Sequence, residues 1–190
     1  MTARTPLRLE DILREKRSVI RDRWVRLILE TYPSDAKRFF AKQKDPFANP
    51  VGTTIAGEIE HIYGGLLDGL DPDRIAPYLD GIVRIRAVQD FTPSQATAFV
   101  FLLKKVIRSE LEKEIREGLL SDELLEFEAR IDRLALLAFD IYMKCREKLY
   151  EIRANEAKNQ VSSLLRRSGL VCEIPGGMGS EKKATETKSK

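Results

Sequence analysis

The chain has 190 residues, 43% of them hydrophobic and 33% charged, a composition typical of one globular domain of ordinary size and unlike that of a disordered chain. Its 33 basic residues nearly balance 30 acidic ones, for a net charge of +3, which argues against nucleic acid or anionic lipid as the main partner. The N-terminus lacks the apolar segment of a secretory signal, and no run of about 18 apolar residues occurs. We therefore expect a cytoplasmic protein with no membrane insertion.

The first half of the chain predicts helices separated by proline-rich breaks. Apolar residues recur at three- and four-residue steps from Leu9 to Ile28, with an interruption near Lys16, which predicts an amphipathic helix ending by Pro33. Residues 34–41 predict two helical turns, and residues 45–50 predict a loop. A third helix is expected to open at Pro50 or Val51.

Asp71 and Pro72 close this third helix and supply the N-cap and first residue of a fourth, which we expect from about Pro72 to Val88. Along the fourth helix, apolar residues face inward at helical spacing. Its three arginines are expected to reach water at the ends of long side chains: Arg74, Arg84 and Arg86.

The second half predicts two longer helices. Thr92, Pro93 and Gln95 form a capping box that starts a helix expected to stop at Gly118. From Ser121 the helical spacing of apolar residues continues with no proline or glycine before Gly169. We expect one long helix, whose distal half projects or packs against another chain.

These patterns predict an all-α protein with five or six helices and a long C-terminal helix. Residues 1–152 are expected to form the helical domain, residues 153–169 an extension of the last helix, and residues 170–190 a disordered tail rich in Gly, Lys, Ser and Thr.

The chemistry that enzymes and metal sites require is missing from the sequence. No phosphate-binding loop, dinucleotide motif or hydrolase elbow occurs, and acidic residues stand beside basic ones, as Glu112 does with Arg116. The two cysteines, Cys145 and Cys172, match no metal or redox spacing. We predict no catalytic residue, no metal and no cofactor.

The only histidine, His61, is read first as a surface residue. The alternatives are a pH sensor or ligand contact, and a haem or metal ligand. Trp24, Tyr63, Phe99 and Phe101 are expected mainly in the core, but His61 with Trp24, Tyr63 and Phe99 is also the candidate lining of a small-molecule pocket.

Two further patterns each leave two readings open. Gly64 and Gly65 lie inside the third helix, where they indicate either close helix packing or a kink beside a ligand or partner groove. Arg14, Arg17 and Arg21 share one helix face, which is either solvated or a docking surface for an acidic partner.

Residues 84–99, with Trp24 upstream and residues 45–51 between, resemble the N-terminal domain of the RsbR/RsbRD-type co-antagonists of the stressosome. This resemblance covers roughly residues 10–150. It implies a sensory or interaction domain, similar to a globin that has lost haem. Such a domain is expected to dimerise and to signal through its last helix. The expected proximal-ligand helix, from Pro72 to Val88, contains no histidine. We expect a stand-alone domain without the STAS output domain of the full-length co-antagonists.

The functional hypothesis is a non-catalytic signalling or regulatory module that acts through protein partners and as a homodimer. The expected dimer or partner interface lies on the last helix: Ile141, Cys145, Leu149 and Ile152. The alternatives are an accessory subunit of a larger enzyme or redox complex, and a ligand or haem sensor that uses His61.

Overall fold

The computed structural model describes residues 8–32, 50–89 and 91–168. All regular structure in these three ranges is helical, which confirms the all-α class. The helices within them are α1 (Leu9–Glu15), α2 (Arg17–Leu29), α3 (Pro50–Leu67), α4 (Pro72–Val88), α5 (Pro93–Thr97), α6 (Phe99–Glu110), α7 (Glu112–Arg116) and α8 (Ser121–Arg167). The predicted turns over residues 34–41, the loop up to Asn49 and the tail lie outside the described residues.

Local signals in the sequence fix several helix ends. The Asp71 carboxylate accepts the backbone N–H of Asp73 at 3.0 Å and so starts α4. Thr92 and Gln95 form the predicted reciprocal capping box, with bonds of 3.3 and 3.0 Å. Gly118 adopts a φ of +70° after α7, a conformation that favours glycine and ends the helix.

Two helices predicted as continuous are interrupted. The first divides at Lys16 into α1 and α2, and the one after the capping box divides at Ala98 and Leu111 into α5, α6 and α7. Side chains from the N-terminal helices bind carbonyls at these later breaks: Trp24 Nε1 donates to Phe99 O at 2.8 Å, and Lys16 Nζ donates to Glu110 O at 2.6 Å. Both donors come from a distant part of the chain, so periodicity alone does not reveal the breaks.

The core lies among α2, α3, α4 and α6, whose apolar faces pack together, with the inner face of α8 adding Phe127, Ile131 and Leu134. Closest packing occurs where α3 meets α4. A Cβ placed on Gly65 would lie 2.6 Å from Ile75 Cδ1, which is closer than any real carbon contact. The prediction of close helix packing is therefore confirmed at Gly65.

Arg86 does not reach water, so the expectation that it would was wrong. Its side chain is fully buried and donates to Thr31 Oγ1 at 2.7 Å, Gln95 O at 3.0 Å and Ile28 O at 3.4 Å. The aromatic rings of Tyr32, Phe91 and Phe99 lie within 5.3 Å of the guanidinium carbon. Burial lowers the pKa of Arg86, against the opposing influence of Tyr32.

The chain divides into two compact units, Met1–Lys148 and Leu149–Lys190. In the second unit, every described side chain from Tyr150 to Ser168 is exposed. None of the helices in the described ranges is both long enough and apolar enough to cross a lipid bilayer.

Candidate functional site

A surface cavity of about 210 Å³ opens beside His61, where the second half of α3 faces the first half of α4. Its lining combines charged, aromatic and glycine residues: Arg17, Glu60, His61, Gly64, Gly65, Asp68, Asp71, Arg74, Ile75 and Tyr78. The imidazole of His61 stacks on the Tyr78 ring, with centroids 4.4 Å apart and planes at 14°. The stacked pair joins α3 to α4 at this cavity.

Gly64 and Gly65 give the cavity its shape because neither carries a Cβ. A methyl group on Gly64 would lie 3.2 Å from Arg17 Nη2, and one on Gly65 would overlap Ile75. The two glycines thus bring α2 and α4 close to α3 and also border a groove. Close packing describes this arrangement, whereas a kink beside a ligand or partner groove stays a prediction.

The carboxylates of the cavity already have partners. Glu60 binds Arg17 at 2.6 Å and Arg21 at 2.9 Å, and Asp68 binds Arg14 at 2.9 Å. Although partial burial acts to raise the pKa of Glu60, hydrogen bonding from Arg21 and the charge of Arg17 hold it below the ordinary value. The arginine face of α1 and α2 is therefore partly exposed and paired with Glu60 of α3 and with Asp68 just after it. A docking surface for an acidic partner stays a prediction.

Three side chains of the lining keep free hydrogen-bonding capacity. His61, Arg74 and Tyr78 make no hydrogen bond or ion pair within the described ranges, although they lie at one cavity. Arg74 and Tyr78 carry donors, and the imidazole has at least one N–H. Sequence reasoning singled out His61 but missed Arg74 and Tyr78, which approach it only because α4 packs against α3.

The four residues predicted to line a ligand pocket lie in different environments. Trp24 and Phe99 are fully buried and are joined by the bond from Trp24 Nε1 to Phe99 O. Tyr63 is also fully buried and donates its hydroxyl to Leu13 O at 3.0 Å, whereas His61 is exposed. The structure brings Trp24 and Phe99 together but not His61 with them, and a pocket lined by all four stays a prediction.

The predicted interface residues lie on α8. Ile141 and Cys145, in the first unit, are half-buried; in the second unit, Leu149 is half-buried and Ile152 is 46% exposed. Partial burial and the nearby Asp80 carboxylate raise the pKa of the Cys145 thiol, so it is a weak nucleophile.

Within the first unit, α8 exposes a second set of large apolar side chains that sequence reasoning missed: Leu125, Leu136, Phe139 and Met143. Leu136, Phe139 and Met143 follow one another at three- and four-residue steps, a spacing that could indicate this face. The inward-facing apolar residues of α8 have the same spacing, so the pattern alone does not separate the two faces. Phe101, expected in the core, is also 47% exposed.

No group of three or more histidine, cysteine, aspartate or glutamate residues within the described ranges is arranged to hold a metal ion. Comparison with known proteins finds a match to the family model of the RsbT co-antagonist protein rsbRD N-terminal domain over residues 18–157. No curated protein and no solved structure matches the chain.

Proposed function

Because the chain belongs to the family of the RsbT co-antagonist protein rsbRD N-terminal domain, a signalling component of the stressosome, we propose that it is a non-catalytic regulatory module. In this proposal it acts in the cytoplasm by binding protein partners and by pairing with a second copy of itself. A stimulus drives such a module only if it binds two arrangements of the helices with different affinity.

The observation that carries the proposal of partner binding is the series of exposed apolar side chains on α8. In the first unit, Leu125 is 70% exposed, Leu136 is 68% exposed and Phe139 is 43% exposed. Large apolar side chains clustered on a surface are typical of protein interaction sites, because burying them against a partner removes them from water.

We propose that the dimer interface on α8 includes Ile141, Cys145, Leu149 and Ile152. Multi-angle light scattering at several protein concentrations tests this interface in the wild type and in Leu149→Glu. A glutamate carboxylate buried without a partner costs several kcal/mol, so Leu149→Glu is expected to be monomeric where the wild type is dimeric.

Leu119→Glu is the matched control, because Leu119 is 56% exposed and lies between α7 and α8. It is expected to remain dimeric. Leu136→Glu tests the outer apolar face of α8 separately. A monomeric Leu136→Glu beside a dimeric Leu149→Glu would move the interface to that outer face, and a monomeric wild type would remove homodimerisation from the proposal.

A further inference from the structure

We propose that the cavity beside His61 is a binding site for a small organic anion, whose carboxylate or phosphate group is held by Arg74, His61 and Tyr78. This inference goes beyond the regulatory role proposed above and does not depend on dimerisation. It rests on three properties of the cavity: an arginine that has no ion pair in the described ranges, hydrogen-bonding groups without a partner there, and the size of the space.

A guanidinium without an internal ion pair favours an anion beside it. Glu60 is held by two arginines and Asp68 by a third, while the Asp71 carboxylate keeps its charge and accepts the N–H of Asp73 at the start of α4. Arg74 is the cation of the lining that has no carboxylate within ion-pairing distance in the described ranges. A cation of this kind on a concave surface attracts a mobile anion.

The free hydrogen-bonding groups also favour an oxyanion. A guanidinium offers several donors in a planar fork that matches two oxygens of a carboxylate or phosphate. The Tyr78 hydroxyl and the imidazole N–H of His61 add donors of different geometry at the same cavity. Within the described ranges, each of these donors can bond a ligand oxygen without breaking a hydrogen bond or ion pair of the protein.

The size and walls of the cavity favour an organic body on the anion. A cavity of about 150 Å³ is large enough for benzene, and this one measures about 210 Å³. The rings of His61 and Tyr78 and the side chain of Ile75 line the cavity and offer apolar contact. An aromatic or aliphatic acid of about that size fits this combination better than an inorganic ion does.

The experiment uses the single histidine of the chain, because the imidazole C–H resonances of untagged full-length protein then report on this cavity without further assignment. The protein is titrated at constant pH and ionic strength with benzoate, phenyl phosphate, acetate and inorganic phosphate. Saturable shifts of the His61 resonances are expected with benzoate, phenyl phosphate or both. Because apolar contact contributes to affinity, saturation should need at least about tenfold less benzoate than acetate, or at least about tenfold less phenyl phosphate than inorganic phosphate. Which of the two aromatic anions binds distinguishes a carboxylate from a phosphate ligand.

Variants on α4 separate specific binding from general ionic effects. Arg74→Ala is expected to weaken binding at least about tenfold, because it removes a charge-assisted hydrogen bond, and Tyr78→Phe is expected to weaken it severalfold while keeping the ring stack. Arg84→Ala is the matched control, since Arg84 is an exposed arginine of the same helix outside the cavity lining, and its affinity should equal that of the wild type.

The proposal is overturned if the shifts of the His61 resonances grow linearly with anion concentration and do not saturate. It is also overturned if Arg74→Ala and Arg84→Ala weaken anion binding equally. A third contrary outcome is that benzoate binds no more tightly than acetate and phenyl phosphate no more tightly than phosphate. None of these readouts depends on the oligomeric state. Failure of the anion site and failure of the dimer are therefore distinguishable.

Discussion

Replacing Arg86 with alanine should strongly destabilise the domain, because its buried guanidinium joins the ends of α2 and α4. It donates three hydrogen bonds, to Thr31, Gln95 and Ile28, and three aromatic rings surround it. No carboxylate in the described ranges forms an ion pair with it. The hydrogen bonds and the ring faces must therefore offset the cost of burying the charge.

The expected magnitude follows from these contacts. Arg86→Ala leaves buried oxygens without their donor, at about 1–3 kcal/mol for each one that stays unsatisfied, and it opens a cavity with a further cost. Relief of the desolvation of the charge offsets part of this loss. We expect a net decrease of about 3 kcal/mol in the free energy of unfolding. Arg86→Met refills much of the volume and should lose about 2 kcal/mol.

Urea denaturation measures this prediction, followed by circular dichroism and by the fluorescence of Trp24, the only tryptophan. With a slope of about 2 kcal/mol per molar urea, Arg86→Ala should lower the midpoint by about 1.5 M. Arg84→Ala is the control, because its exposed ion pair with Asp80 is worth less than about 1 kcal/mol. The reasoning is refuted if the Ala variants of Arg86 and Arg84 unfold at the same midpoint, or if Arg86→Met is more stable than the wild type.

Two further predictions concern α3. Gly65→Ala should destabilise the domain by about 1–2 kcal/mol because its methyl group overlaps buried Ile75. Gly57→Ala should stabilise it by about 0.5–1 kcal/mol through helix propensity, because its methyl group meets no atom within 4 Å. Thermal unfolding in which both variants shift the midpoint in the same direction would contradict this account. The pKa of Glu60 is lower in the folded state than its ordinary value. Its contribution to the free energy of unfolding is therefore fully present above the pKa of the unfolded state and is lost as the pH falls through the pKa of the folded state. Denaturation at a series of pH values should show Glu60→Gln less stable than the wild type at pH 7, with the difference shrinking below about pH 4.5, and a difference independent of pH would be inconsistent with the ion pairs.

Local features of the sequence account for much of the secondary structure. The bounds of α4, from Pro72 to Val88, follow from the Asp71 cap and the apolar period, and the capping box at Thr92 forms as its residue types require. The long last helix likewise follows from an uninterrupted pattern without proline or glycine. These features depend on residues within one or two turns of each other, and such interactions can be read from the chain itself.

The all-α class, most helix boundaries and the resemblance to a signalling family follow from the amino-acid sequence alone. The burial of Arg86, although Arg84 on the same helix is exposed, and the cavity that His61 shares with Arg74 and Tyr78 follow from how the helices pack. Burial and hydrogen-bond partners depend on which helix lies opposite. Residues far apart in the chain supply those partners, and the 3.6-residue period identifies the packed face of a helix without identifying its neighbour.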